Sequence, residues 1–286
     1  MSILTLSDGR SLEYLDNGVQ SEKAILFLHG TPGDATVWNS WLSEITSVRA
    51  IATSRPGYGL SDRQRGRTVA ADIANQQAVL DLFKVERFVS IGWSGGGPHS
   101  LNMARDRRCV AAFTIAGVGE FGREDLDFLE GMGPENHDEF GAAIKGEPEL
   151  EKWMERNGVG LRKVTGPDLI SAFGGLLGDA DKRALTPAFA EMNATTIRRA
   201  LEKSFDGWID DDLAFVRDFG FDLKTINKPV MLWQGDDDFM VPQTHSVWLA
   251  RQIPGSTLRF VPGHGHISLV EEFRPTIISE ALNFLR

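Results

Sequence analysis

Short apolar segments of strand length alternate with helical segments in the first 118 residues of the chain. The apolar runs cover residues 24–28, 48–53, 87–91 and 110–115. Continuous apolar runs of this kind are typical of parallel strands that are buried on both faces. Strands that alternate with helices form a parallel sheet covered by helices on both faces. The pattern therefore predicts an α/β fold.

The same pattern returns near the end of the chain and completes the predicted sheet. Residues 229–233 and 257–261 have the composition of strands, and a closing helix is expected over 275–285. Residues 2–15 predict two short strands joined at Asp8-Gly9, which is a favoured pair for a hairpin turn. The expected architecture is a mostly parallel, eight-stranded sheet.

The alternation stops between the two halves of this sheet. Residues 119–218 have helical spacing, interrupted by glycine and proline, and carry many large apolar side chains. We expect an α/β core made of residues 1–118 and 219–286, with 119–218 as an inserted helical cap. Ligand pockets in such folds lie beyond the carboxyl ends of the strands. More than half of the apolar side chains should hold the cap together and to the sheet, and the rest, with Trp153, Phe173 and Trp208 as candidates, should contact the substrate.

The overall charge and the cysteine content exclude several classes of protein. The chain has 286 residues and a net charge of −10, with no basic stripe, so nucleic acid or an anionic membrane is not an expected partner. The single cysteine rules out an internal disulfide. The first ten residues lack the basic and apolar segments of a signal peptide, and no apolar run is long enough to cross a bilayer. These features predict a cytoplasmic protein.

The segment Gly92-Trp93-Ser94-Gly95-Gly96 is the first candidate for chemistry. It fits the G-x-S-x-G nucleophile elbow, in which a serine lies on a strained turn between a strand and a helix. The residues two before and two after the serine must be small, because the backbones pass close to each other there. The pattern alone occurs often by chance, but here a strand precedes it and Pro98 opens the helix that follows. Ser94 is therefore the predicted nucleophile.

A second glycine-containing turn, His29-Gly30-Thr31-Pro32-Gly33, follows the first buried strand. Acyl transfer requires N–H donors directed at the oxyanion that develops on the substrate. We expect the N–H groups of Thr31 and Gly95 to provide them. His29 lies at the end of a buried strand, so its expected role is to hold this turn.

Two later strands each end in a set of polar residues that could complete a catalytic triad. Asp236, Asp237 and Asp238 follow the strand at 229–233, and His264 and His266 follow the strand at 257–261. A nucleophilic serine needs a base, and that base needs an acid that fixes its tautomer. Two histidines in an i, i+2 arrangement without a neighbouring carboxylate or cysteine make a poor metal site, so no metal is expected.

At this point the chain resembles the α/β-hydrolase family over nearly its whole length. The resemblance rests on the HGTPG turn, the serine elbow, the segment Arg55-Pro-Gly-Tyr-Gly59, and the order serine, aspartate, histidine. In the family, the acid lies in a G-x-x-D-x-x-V-P loop, which implies Asp238. The family's histidine follows a glycine and precedes an apolar stretch, which implies His266 rather than His264.

The resemblance implies a serine hydrolase that works through an acyl-enzyme and needs no cofactor. Its expected substrate is a small to medium carboxylic ester or lactone, with uncharged acyl groups preferred. An amidase or proline iminopeptidase is an alternative, in which Glu191 or Glu202 would hold a substrate ammonium. The sequence is also compatible with a carbon–carbon bond hydrolase, and with a non-catalytic small-molecule receptor on the same fold. It does not determine the oligomeric state.

Overall fold

A computed structural model describes all residues, 1–286, and contains one eight-stranded sheet. The strand order is β1-β2-β4-β3-β5-β6-β7-β8. The pairs β1–β2 and β2–β4 are antiparallel, and the remaining neighbours are parallel. The mostly parallel, eight-stranded sheet predicted from the sequence is confirmed. The strands are β1 Ser2–Thr5, β2 Ser11–Asp16, β3 Lys23–Leu28, β4 Arg49–Thr53, β5 Arg87–Trp93, β6 Cys109–Ile115, β7 Val230–Gly235 and β8 Ser256–Val261.

Twelve α-helices accompany the sheet, and six of them lie between β6 and β7. A 3₁₀ segment directly precedes each of the first two α-helices, at Ala35–Trp38 and Ala70–Asp72. The α-helices are α1 Asn39–Glu44, α2 Ile73–Leu82, α3 Gly96–Met103, α4 Pro134–Lys145, α5 Glu147–Trp153, α6 Gly166–Phe173, α7 Asp179–Ala184, α8 Pro187–Ala200, α9 Asp206–Phe215, α10 Gln243–Gln252, α11 His266–Glu272 and α12 Arg274–Phe284. None of these helices has the length and apolarity needed to cross a membrane.

The central strands are apolar because both of their faces are covered. Residues 24–28 of β3 are completely buried, and the side chains of Ile25 and Phe27 belong to a different apolar core from those of Leu26 and Leu28. These two cores lie on opposite faces of the sheet, as the alternation of side chains along a strand requires. This double burial explains why the sequence shows continuous apolar runs rather than an alternating pattern.

The segment after β6 differs in part from the helical expectation. Residues 119–133 form turns and irregular structure, and the first helix begins only at Pro134. Phe128 in this stretch packs against Phe140 of α4 and against the ring of His245 in α10. His245 Nε2 also donates a hydrogen bond to the Phe128 carbonyl, at 3.0 Å. Contacts with α10 rather than helical hydrogen bonds therefore hold this part of the segment.

Candidate active site

Ser94 lies at a sharp turn between β5 and α3. Its backbone has a φ angle of 56°, in the left-handed region that a serine rarely adopts. A Cβ atom added at Gly92 would lie 2.0 Å from the Gly96 carbonyl oxygen, and one at Gly96 would lie 2.1 Å from the Leu28 carbonyl oxygen. Only glycine fits at either position, so the turn has the close backbone packing expected of a G-x-S-x-G nucleophile elbow.

The predicted acid and base are in direct contact. His266 begins α11, and its Nδ1 lies 2.9 Å from Oδ2 of Asp238 in the loop after β7. Asp238 Oδ1 accepts hydrogen bonds from the backbone N–H groups of Met240 and Val241, at 2.9 and 2.8 Å. A carboxylate fixed in this way holds the proton on Nδ1 and leaves Nε2 free to act as a base. Ser94 and His266 line the same small cavity, with a volume of about 70 Å³.

The surroundings of His266 raise its pKa. Burial lowers the pKa, but the charge and hydrogen bond of Asp238 and the charge of Asp181 outweigh burial, so the net pKa lies above 6.5. The indole of Trp93 packs at 5.5 Å from the imidazole and donates a hydrogen bond to the His266 carbonyl, at 3.2 Å. Trp93, which precedes the serine, thus fixes the position of the base.

The other histidine and the other two aspartates of these loops have different partners. His264 Nε2 pairs with Glu272 at 3.0 Å, near the surface. Asp236 accepts the N–H of Gly263 at 2.6 Å, and Asp237 accepts the N–H of Ala180 at 2.8 Å. Asp236 ties the two loops together, and Asp237 ties the acid loop to α7. The structure therefore brings Asp238 and His266 together and keeps the other three residues apart from them.

The HGTPG turn is adjacent to Ser94. A Cβ atom added at Gly30 would lie 3.7 Å from Ser94 Oγ, and one at Gly95 would lie 2.6 Å from Thr31 Oγ1. Neither the Thr31 N–H nor the Gly95 N–H donates to a backbone carbonyl in the turns and loops. Both N–H groups thus lack a backbone acceptor there, as their expected role toward an oxyanion requires.

A buried ion-pair network holds this turn, and its acid could not be identified from the sequence. Arg55 donates to the carbonyl oxygens of His29 and Gly30, the latter at 3.0 Å. Asp211, in α9, binds Arg55 at 2.6 Å and accepts the Thr31 hydroxyl at 2.7 Å. Burial raises the pKa of Asp211, but Arg55 and Arg67 outweigh that effect and hold the pKa well below its usual range. The network explains the arginine of the Arg-Pro-Gly turn, because Arg55 links it to the HGTPG turn.

His29 belongs to the same network. Its Nδ1 donates to the Gly30 carbonyl at 2.7 Å, and its Nε2 accepts the Arg55 N–H at 3.0 Å. Burial and the neighbouring Arg55 charge lower the pKa of His29 well below its ordinary value, so the ring is neutral. His29 holds the turn, as expected from its place at the end of a buried strand.

A second residue that sequence reasoning missed is Asp181 in α7. Its carboxylate accepts the backbone N–H groups of His266, Ile267 and Ser268 at 2.8–2.9 Å, and it is fully buried. These are the free N–H groups at the start of α11, where a negative charge is favourable. The helix that carries the base is therefore capped by a side chain from the segment between β6 and β7.

A larger cavity of about 390 Å³ opens next to Ser94. Its lining includes Thr31 and Gly95 from the sheet side and all three aromatic residues predicted to contact the substrate, Trp153, Phe173 and Trp208. Other large apolar residues of the segment also line the cavity, namely Met132, Phe140, Leu161, Leu176 and Phe215. Phe121, Phe128, Leu129 and Leu177 do not line it and pack in the apolar cores.

The two glutamates proposed to hold a substrate ammonium do not reach this cavity. Glu191 is exposed and binds Arg198 at 2.8 Å and the Gly166 N–H at 2.7 Å. Glu202 is also exposed. Four other acids line the cavity instead, among them Glu139 and Asp212. The sequence could not distinguish them, because burial rather than a motif sets them apart.

The sheet order, the strained serine turn and the Asp238–His266 pair define a hydrolase of the α/β type. A family model described as the alpha/beta hydrolase family matches residues 25–280. The chain therefore belongs to this family. The structure contains no group of three or more histidine, cysteine, aspartate or glutamate side chains that could hold a metal ion.

Individual relatives differ in the activity that their names state. The chain is 26% identical over 293 residues to a non-heme haloperoxidase from Rhodococcus erythropolis, covering 100% of this chain and 99% of the other. An esterase from Exiguobacterium antarcticum superposes with a TM-score of 0.75 at 17% identity, over 99% of this chain and 98% of that chain. An enol-lactonase from Burkholderia xenovorans superposes with a TM-score of 0.72 at 18% identity, over 99% of both chains. At such low identity, the two structures show that the fold is shared.

Proposed function

We propose that the protein is a serine hydrolase that cleaves a small to medium carboxylic ester or lactone through an acyl-enzyme. The observation that carries this proposal is the arrangement around Ser94. The serine lies on a strained turn and shares a cavity with His266, which is held by Asp238 at 2.9 Å. A nucleophile, a base and an orienting acid in this order are the requirements of acyl transfer.

In the first half of the reaction, Ser94 Oγ attacks the substrate carbonyl while His266 Nε2 takes the hydroxyl proton. The carbonyl oxygen becomes an oxyanion, which the N–H groups of Thr31 and Gly95 stabilise. The Asp238 carboxylate stabilises the imidazolium that forms. When the tetrahedral intermediate collapses, the ester C–O bond breaks and His266 gives its proton to the departing alkoxide. A lactone follows the same course, except that its hydroxyl group remains attached to the acyl chain.

In the second half, water attacks the acyl-enzyme and His266 takes a proton from it. The second tetrahedral intermediate collapses, the bond to Ser94 Oγ breaks, and the serine recovers its proton from His266. The product is a carboxylic acid, and the enzyme returns to its starting state. No redox step and no cofactor are needed for this cycle.

The larger cavity favours an acyl or alcohol chain of limited length. Burying a methylene group against its aromatic lining contributes about 0.8 kcal/mol of binding free energy, which corresponds to an increase of up to about fourfold in kcat/KM per carbon. We expect kcat/KM to rise along a series of straight-chain esters until the 390 Å³ cavity is filled.

Two measurements on the purified protein test the proposal. A fluorophosphonate should label Ser94 of the wild type, as located by mass spectrometry, and should not label the Ser94→Ala variant. That variant should retain its fold and lose about five to six orders of magnitude in kcat on the best ester or lactone of a graded panel. Labelling at another residue, or fastest turnover of an amino-acid amide, would overturn the proposal.

The haloperoxidase relative provides a second candidate function. That protein shares 26% identity with this chain over its whole length. Hydrogen peroxide in place of water would convert the acyl-enzyme into a peracid, which oxidises halide ions. Bromination of an indicator in the presence of peroxide and acetate should then depend on Ser94. If bromination is faster than hydrolysis of every ester, the second candidate replaces the first.

A further inference from the structure

The cavity beside Ser94 is acidic as well as aromatic. Four carboxyl side chains line it, and no arginine, lysine or histidine does. Asp138 is exposed, Glu135 and Glu139 are half-buried, and Asp212 is buried. An aromatic pocket with unpaired negative charge is electrostatically complementary to a cation.

Glu139 of α4 and Asp212 of α9 form a close pair of acids. Burial raises the pKa of Asp212 well above its ordinary value, and the neighbouring Glu139 raises it further. Burial also raises the pKa of Glu139, against the effect of its hydrogen bonds with Asp212 and Trp208. Burial and the neighbouring acid both favour the protonated form of a carboxyl group, whereas a cation bound beside the pair would favour the ionised form.

The protein supplies too few donors for this pair. Trp208 Nε1 donates to Glu139 Oε1 at 2.6 Å. Asp212 is 1% exposed, and its Oδ2 has no hydrogen-bond donor. The two preceding residues of α9 are different, because Asp210 binds Arg63 and Asp211 binds Arg55 and Arg67. Asp212 alone has no basic partner, although a buried carboxyl group without one is costly.

We propose that Glu139 and Asp212 bind a positively charged amine of the substrate, in the same cavity as Ser94. The edge-to-face pair Trp153 and Trp208, with ring centres 5.6 Å apart, contributes the aromatic part of the site. The inference rests on the proposed hydrolysis at Ser94 and names its substrate class: esters or lactones that carry an amino or quaternary ammonium group. It revises the expectation that uncharged acyl groups are preferred.

The test compares esters that differ only in charge. One series contains p-nitrophenyl esters of trimethylammonio acids of graded length, and the other contains their neutral tert-butyl analogues of the same size. We expect the wild type to favour the cationic ester by about tenfold or more in kcat/KM at its best length. The double variant Glu139→Gln, Asp212→Asn should lose that preference, through a higher KM for the cationic ester rather than a lower kcat.

Asp206→Asn is the matched control. It removes a carboxylate from the same helix, where Asp206 pairs with Arg63 at 2.7 Å outside the cavity. This variant should retain the preference for the cationic ester. A wild type that favours the neutral ester at every length would overturn the amine site, and so would a double variant that keeps the preference within twofold.

A binding measurement separates failure of this site from failure of the proposed hydrolysis. Calorimetry on the Ser94→Ala protein compares a trimethylammonio alcohol with its neutral tert-butyl analogue. Tighter binding of the cation, weakened about tenfold or more by the double substitution, supports the site even if no ester is cleaved. Equal binding of the two alcohols contradicts it even if the neutral esters are hydrolysed rapidly.

Discussion

Two runs of three aspartates occur in this chain, and one member of each run contributes to the site around Ser94. Asp236, Asp237 and Asp238 follow β7, and only Asp238 contacts the base. Asp210, Asp211 and Asp212 lie in α9, where the first two bind arginines and only Asp212 lines the cavity. In both runs, one carboxyl group serves the site and its neighbours hold the structure around it.

The two runs differ in how the backbone distributes their side chains. The run after β7 lies in a loop, so consecutive side chains reach the N–H groups of two different segments and the imidazole of His266. The run in α9 is helical, so consecutive side chains point about 100° apart. Asp211 therefore faces the buried arginines while Asp212 faces the cavity. Neighbouring residues of one type are thus separated in function by local geometry alone.

The largest expected effect in this comparison is that of Asp238→Asn. The amide cannot hold the Nδ1–H tautomer of His266 or stabilise the imidazolium. We therefore expect kcat to fall by about four orders of magnitude, as it does when the triad aspartate of a serine protease is changed to asparagine. Steady-state kinetics on the best ester would measure it. The fold should persist, because Met240 and Val241 can still donate to an amide oxygen. A loss of less than about tenfold would remove Asp238 from the triad.

Asp211→Asn should have the largest effect on stability in either run. It leaves Arg55 and Arg67 without their shared carboxylate in a fully buried site, and breaking such an arrangement costs about 3–5 kcal/mol. Chemical denaturation would measure the free energy of unfolding. Asp218→Asn is the control, because Asp218 pairs with Arg123 at the surface. If both variants are equally stable, the network does not hold the turn as described.

The sequence predicted the polar residues of the site that follow strands, and it missed the acidic residues that come from helices. Ser94, Asp238 and His266 follow β5, β7 and β8, and the carboxyl ends of parallel strands meet at one edge of a sheet. Asp181 lies in a helix far from these strands in sequence, and so does Asp211. Whether their side chains point toward the site depends on how the helices pack, which no local pattern encodes.

Asp181→Asn should change the pH dependence rather than abolish activity. The Asp181 charge contributes to the raised pKa of His266, so its removal should lower that pKa. The base must be neutral, and activity therefore falls as the pH drops through this pKa. In the wild type, the acidic limb of kcat/KM should lie above pH 6.5, and in the variant it should move to lower pH. Asp179→Asn, an exposed change in the same helix, should leave the limb in place.

The smallest effects are expected from Asp236→Asn and Asp237→Asn, which test whether the loop run divides as described. Each carboxylate accepts one backbone N–H, at 2.6 and 2.8 Å, and an amide oxygen can accept the same hydrogen bond. Neither residue touches His266, so kcat/KM should stay within about tenfold of the wild type, a range that a slight displacement of the neighbouring loop would produce.

The decisive comparison is between these losses of activity and the loss caused by Asp238→Asn, since all three changes remove one charge from the same loop. A general electrostatic effect would make the three losses similar, whereas a specific contact makes one loss larger by about a thousandfold. Equal losses at all three positions would mean that the run acts as one network, or as a metal site, and not as a single acid with two structural neighbours.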